Sequence, residues 1–171
     1  GRMYYLNDEF SHWGLAVKNM FANGSLAVAA ESNAIFKTYP PFATAVCWLC
    51  SAFCGGMDEA ATFVGMDIML LACGMPVFAA FAEKMSERSY RTELVWMLPG
   101  VAAIFTAAVM CFKLSAFTVI SVDTLLGMLA AYIVMDYFIS GRLTFAPFAV
   151  AALVLTKETG AAFAGLALGI C

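Results

Sequence analysis

The chain has 171 residues, of which 63% are hydrophobic and 12% charged, and its formal net charge at pH 7 is -3. A soluble domain is nearer half apolar and a quarter charged, so the composition excludes an ordinary soluble fold and predicts an integral membrane protein. No basic cluster or nucleic-acid motif is present, which gives no indication of nucleic-acid binding. The chain starts without methionine and stops inside an apolar run, which indicates a piece of a longer polytopic protein.

The first predicted element is an amphipathic helix over residues 8–22. Its apolar side chains recur at helical spacing and form one stripe, made of Phe10, Trp13, Val17, Met20 and Phe21. We expect Glu9, His12 and Asn19 largely on the opposite, polar face. The helix is too short and too polar to cross a bilayer, so it is predicted to lie in the membrane interface, with its tryptophan at headgroup depth.

Two adjacent carboxylates, Asp8 and Glu9, stand at the start of this helix. They point about 100° apart and cannot share a proton, but both are within helical reach of His12. This spacing could form a divalent-metal site or an acid/base pair. Alternatively, the acids cap the first turn and His12 is an interfacial side chain. Lys18 either binds a phosphate as a point charge or extends to the lipid headgroups.

The rest of the chain contains apolar segments near the about 20 residues needed to cross a hydrocarbon core. The four predicted membrane helices are residues 60–82, 94–112, 119–139 and 143–156. Pro76 predicts a kink in the first of them. An earlier segment, 42–56, is shorter, and the sequence leaves open whether it crosses the bilayer or re-enters on the same side. Its three cysteines are interpreted as small apolar residues, because no nearby histidine completes a zinc set.

Basic residues predict the orientation of these segments. The most basic loop, residues 83–93, is placed in the cytoplasm by the positive-inside rule. The next apolar segment then runs outward, so the start of 119–139 lies on the outer side. If 42–56 re-enters the membrane, residues 1–41 are an extracytoplasmic first-loop region and residues 42–171 the transmembrane region. The predicted architecture is therefore an all-α polytopic transmembrane bundle with an N-terminal interfacial helix.

Polar residues also stand where apolar segments begin. Tyr39-Pro40-Pro41 precede the first apolar segment, and the two prolines end local helix and hold the chain extended. Tyr39 also fits the aromatic belt of a membrane interface. Asp123 stands near the start of a predicted span, where it is either the helix N-cap or a functional acid at the membrane boundary.

The order of these motifs resembles bacterial membrane proteins of the GT-C glycosyltransferase superfamily, to which protein O-mannosyltransferases and the aminoarabinose transferases of lipid A are related. The resemblance covers most of the chain. It is carried by Asp8-Glu9-Phe10-Ser11-His12-Trp13, Lys18, Tyr39-Pro40-Pro41, Val122-Asp123-Thr124-Leu125-Leu126-Gly127 and Leu155-Thr156-Lys157-Glu158-Thr159-Gly160.

The resemblance implies transfer of a sugar from a polyprenyl-phosphate-linked donor at a site facing outside a bacterial plasma membrane. It implies that Asp8 or Glu9 is the general base or a ligand of a divalent metal. The residues expected to bind substrate or shape the site are His12, Lys18, Tyr39, Pro40, Pro41 and Asp123. It also favours the re-entrant interpretation of 42–56, which puts residues 1–41 outside.

A second hypothesis is a transporter or flippase in which Asp67, Asp123 and Asp136 bind a coupling ion or substrate; a third is a non-catalytic membrane scaffold. The transporter hypothesis predicts that the acids meet at the bilayer midplane. The transferase hypothesis predicts that the N-terminal acids meet Asp123 near one membrane face. Lys157 and Glu158 are expected to satisfy one another at a break between short helices.

Overall fold

The computed structural model describes residues 3–26, 28–29, 38–86, 119–141 and 143–171. Within these ranges the regular structure is helical and no strand occurs, so the all-α prediction is confirmed there. The elements are a π-helical turn at Glu9–Trp13 and the helices α1 (Gly14–Asn23), α2 (Phe42–Phe53), α3 (Glu59–Cys73), α4 (Met75–Ser86), α5 (Val122–Ser140), α6 (Ala146–Val154) and α7 (Gly160–Ile170).

Helix α5 is the centre of the bundle. It packs against α3, α4, α6 and α7, and its inward side chains Leu125, Leu126 and Ile133 are almost completely buried. Helix α1 packs on α2, and α2 on α3. The outer faces of α6 and α7 expose large apolar side chains such as Phe148 and Leu166. Several large exposed apolar side chains on two helices in contact are unusual on a water-facing monomer.

One of the described helices, α5, is long and apolar enough to cross a membrane, with 19 residues and a mean hydropathy of 1.6. It matches the predicted segment 119–139. The predicted segment 60–82 is instead divided at Gly74 into α3 and α4. Pro76 follows at once, and its missing N–H cannot continue the hydrogen-bond ladder of α3, so the predicted kink is a break.

The remaining predicted segments give shorter helices or lie elsewhere. Segment 143–156 contains only the nine-residue α6, because its last residues turn instead of continuing the helix. Segment 42–56 contains the 12-residue α2, as short as predicted. Segment 94–112 and most of the basic loop 83–93 lie outside the described residues.

The N-terminal helix is present, but its faces differ from the prediction. Glu9 and His12 are buried, with 0% and 4% exposure, whereas Phe10 is 54% exposed. Asn19, also predicted on the polar face, is buried as well. The π-helical turn explains part of the error, because its wider turn rotates the following residues relative to an α-helical pattern.

The N-terminal segment and α1 are joined to α3 by four side chains, here called the N-terminal clamp. Tyr4 and Lys18 contribute from the first two, and Glu59 and Thr62 from α3. The Tyr4 backbone N–H donates to Glu59 Oε2 at 2.8 Å, and Lys18 Nζ donates to Glu59 Oε1 at 2.6 Å. The Tyr4 hydroxyl lies 3.0 Å from Thr62 Oγ1. Gly14 permits this arrangement, because a Cβ there would overlap the Tyr4 ring.

Candidate functional site

A cavity of about 290 Å³ lies between the N-terminal helix and the start of α5. Four separate stretches of the chain supply its polar lining, which consists of Asp8, Glu9, Ser11, His12, Tyr39, Ser121, Asp123 and Lys157. We call this cavity the polar pocket. The structure thus brings together five of the residues that the sequence singled out from distant motifs, and it adds Lys157.

Glu9 is a buried structural member of the pocket wall. Its Oε2 accepts the backbone N–H groups of Tyr5 and Leu6 at 2.9 and 3.1 Å, and its Oε1 accepts the N–H of Ile120 at 3.1 Å. A buried carboxylate is tolerated only when such bonds replace water. These bonds join the N-terminal segment to the residues that precede α5. They leave Glu9 little capacity to bind a metal or to take a substrate proton.

Asp8, the neighbouring acid, is exposed at the mouth of the pocket and does not cap its own helix. Its charge reaches the ring of His12. Burial lowers the pKa of His12 below its usual value, and the negative charge of Asp8 offsets this only in part. At neutral pH the pocket therefore presents the Asp8 carboxylate beside a neutral imidazole.

Three aromatic rings form one side of the pocket. Trp13 and Tyr39 are stacked, with centroids 5.6 Å apart and planes 20° apart, and His12 meets Tyr39 edge-on at 5.3 Å. Pro40 and Pro41 do not line the cavity. They lead the chain from Tyr39 into α2, where the Pro41 carbonyl accepts the backbone N–H of Ala45 at 2.8 Å. The role of the two prolines in shaping the site stays a prediction.

Asp123 and Lys157 form an ion pair in the lining of the pocket. Lys157 Nζ donates to Asp123 Oδ1 at 2.6 Å and lies 5.7 Å from the centroid of the Tyr39 ring. The hydrogen bond to Asp123 is the main cause that raises the pKa of Lys157. Ser121, not Asp123, is the N-cap of α5, because its side chain accepts the N–H of Thr124. The N-cap interpretation of Asp123 is therefore wrong.

The turn between α6 and α7 holds Lys157 in place. The N–H of Phe42 donates to the Leu155 carbonyl at 2.8 Å, and the N–H of Gly160 donates to the Lys157 carbonyl at 2.8 Å. A Cβ at Gly160 would overlap the Leu153 carbonyl, so this close turn requires glycine. Lys157 pairs across the fold with α5 and not with the adjacent glutamate, contrary to the expectation from sequence.

Lys18 does not reach the polar pocket. Its ammonium pairs with Glu59 in the N-terminal clamp. Among the described residues, no three side chains of the metal-ligating types converge on one point. Because N–H groups occupy the Glu9 carboxylate and Lys157 occupies that of Asp123, the donors of the pocket do not fit a divalent metal.

A second cavity, an apolar groove of about 520 Å³, is lined by a different set of residues. Its walls come from α3, α5 and α6 and from the first residue of α2. Along α5, Leu125 lines the groove two residues after Asp123 lines the pocket, and Leu155 lines it two residues before Lys157. The two cavities share no lining residue, and Asp123 and Leu125, two positions apart on one helix, point to nearly opposite sides of α5.

Comparison of the chain with protein-family models, with curated proteins and with solved structures finds no match.

Proposed function

We propose that this protein is a polytopic membrane glycosyltransferase that moves a sugar from a polyprenyl-phosphate donor to an extracytoplasmic acceptor. The observation that carries the proposal is the meeting of Asp8, His12, Tyr39 and Asp123 in one pocket. These residues belong to three motifs that are far apart in sequence. The same bundle also has a separate apolar groove, which is compatible with a ligand that carries a hydrocarbon tail.

The membrane part of the proposal is supported by the surface of the bundle. Large apolar side chains lie exposed on α6 and α7, and α5 has the length and hydropathy of a span. Asp123 lies in the first turn of α5, so the polar pocket is at one end of this helix. In a bilayer crossed by α5, the pocket then lies at headgroup level, where the phosphate of a lipid-linked sugar also lies. We place this end on the extracytoplasmic side.

Within this proposal, Asp8 is the general base. Its exposed carboxylate takes the proton of an acceptor hydroxyl, whose oxygen attacks the anomeric carbon of the donor sugar. The bond between that carbon and the phosphate oxygen breaks, and the phosphate leaves with the electron pair. Attack from the face opposite the leaving group inverts the anomeric centre. Glu9 keeps the pocket assembled through its three backbone hydrogen bonds.

The transporter alternative has one observation in its favour. Asp136 is buried in α5, and its Oδ2 has no hydrogen-bond partner among the described residues. However, Asp123 and Asp136 are 13 positions apart on one helix, which separates them by about 20 Å along its axis. They do not meet at one midplane site, and Asp123 is paired with Lys157. The geometry therefore supports the transferase better.

The test is transfer of labelled sugar from polyprenyl-phosphate mannose or aminoarabinose by the full-length protein in membranes. Asp8→Asn is expected to lower turnover by roughly a hundredfold or more, the usual contribution of a general base, without lowering the melting temperature. Glu158→Gln is the matched control: this acid is exposed and outside the pocket, so turnover should be unchanged. Wild-type turnover in Asp8→Asn would remove Asp8 from the mechanism.

A further inference from the structure

We propose that Lys157 is the anion-binding group of the polar pocket, and that the Asp123 carboxylate occupies its binding position until a phosphate-bearing ligand displaces it. Asp123 is then an exchangeable partner of Lys157, and not a second acid acting on the sugar. The inference rests on the proposed function, because the phosphate is taken to be that of the lipid-linked donor.

The two partners of this ion pair differ in how firmly they are held. The Lys157 side chain is 23% exposed, and hydrogen bonds on both sides of the residue fix the turn that carries it. The Asp123 side chain is 77% exposed. Its carboxylate can therefore turn into water when another anion takes its place, while the ammonium stays in the pocket.

The surroundings of Lys157 suit an incoming phosphate. An ammonium has three N–H donors, of which Asp123 uses one. The Tyr39 ring lies beneath the ammonium, and the negative face of the ring stabilises the positive charge of the partly buried lysine. A phosphate ester carries more negative charge than a carboxylate and offers more acceptor oxygens. Because ion pairs with a highly exposed partner contribute little, exchange of Asp123 for phosphate is favourable.

The N-terminal clamp provides a matched control within the same chain. Lys18 also donates to a carboxylate at 2.6 Å and also lies over a tyrosine ring, at 5.0 Å from its centroid. It does not line the polar pocket. Loss of Lys18 therefore removes an ion pair of the same length without touching the proposed anion site.

The experiment measures the dissociation constants of farnesyl phosphate, farnesol and inorganic phosphate for the purified full-length protein in detergent, by calorimetry. Asp123→Asn frees Lys157 and should bind farnesyl phosphate about fivefold tighter, the equivalent of an exposed ion pair. Lys157→Met should bind it roughly ten- to a hundredfold more weakly, as expected for loss of a charged hydrogen bond. Lys157→Arg and Lys18→Met should bind it as the wild type does. Farnesol binding should be the same in all variants.

The opposite directions of the two effects separate a binding role from a structural one. A merely damaged pocket would weaken binding in both Asp123→Asn and Lys157→Met, and that result overturns the proposal, as do equal dissociation constants in all variants. If inorganic phosphate shows the same ranking, the site accepts a free anion; if only farnesyl phosphate does, it requires the lipid. Either result supports the anion site. The predicted ranking together with an absence of sugar transfer would overturn the proposed function alone.

Discussion

The polar pocket and the N-terminal clamp use the same combination of residues for different purposes. Each contains a lysine that donates to a carboxylate at 2.6 Å and lies over a tyrosine ring. In the clamp, Glu59 is 23% exposed and also accepts the backbone N–H of Tyr4. In the pocket, Asp123 is 77% exposed, and among the described residues its side chain is bonded to Lys157 alone.

The difference shows that the second bond and the burial of the carboxylate decide what such a pair does. A carboxylate held by a lysine and a backbone N–H fastens two parts of the fold, because releasing it leaves both donors unsatisfied. A carboxylate held by one lysine and surrounded by water can leave at little cost. We therefore expect held carboxylates to affect stability and open carboxylates to affect ligand binding.

The largest loss of stability is expected from substitution of Glu9. This carboxylate lies in the wall of the pocket, but three backbone N–H groups hold it in place. Glu9→Ala leaves one buried and two part-buried N–H groups without their acceptor, so the free energy of unfolding should fall by about 2–4 kcal/mol. Thermal unfolding in detergent measures it. Asp8→Ala, the adjacent open acid, is the control and should change stability by less than about 0.5 kcal/mol. Equal losses in the two variants would contradict the distinction between held and open acids.

A smaller effect is expected when the two ion pairs are broken in parallel. Glu59→Gln weakens two bonds and should lower the free energy of unfolding by about 1–3 kcal/mol. Asp123→Asn should lower it by less than about 1 kcal/mol, because its carboxylate is mostly in water. Denaturant titration of both variants checks the order. If Asp123→Asn proved the more destabilising, Asp123 would be a structural residue and not an exchangeable one.

The sequence predicts those parts of this fold that depend on local patterns. Helix α5 lies within a few residues of its predicted position, because its apolar run is uninterrupted by proline and begins at a capping serine. The break at Gly74 follows from Pro76. The buried face of the N-terminal helix is not predicted, because Glu9 is bonded to Ile120, 111 positions away, and no local pattern reveals that bond.

Lys157 is the pocket residue whose place the sequence argument missed. A signal was present: three carboxylates, Asp8, Glu9 and Asp123, were expected at one site, and like charges so close require a cation. From residue 119 onward the basic residues are Arg142 and Lys157, and Arg142 follows α5 at the end opposite Asp123, which leaves Lys157. What the sequence does not give is the turn toward α5, which depends on close contact between Gly160 and Leu153.

The smallest expected effect is a difference in pH dependence between the two ion pairs. Desolvation raises the pKa of Glu59, but the bonds from Lys18 and Tyr4 outweigh it, so the pKa lies below the usual 4.5. A lowered folded-state pKa gives stability that is present above about pH 4.5 and is lost as the pH falls through that lowered value. The pKa of Lys157 lies above the usual 10.5. Its contribution is present below that pH and is lost as the pH rises through the raised value.

Melting temperatures measured across pH should therefore show the two pairs at opposite ends of the scale. Glu59→Gln should reduce the fall in melting temperature at acid pH, and Asp123→Asn should remove the smaller fall at alkaline pH. Each variant should match the wild type at the other end of the pH range. The alkaline effect is the smaller because Asp123 is mostly hydrated, so water competes for the charge that stabilises Lys157. An unchanged loss of stability at alkaline pH in Asp123→Asn would show that this carboxylate is not what holds Lys157 charged.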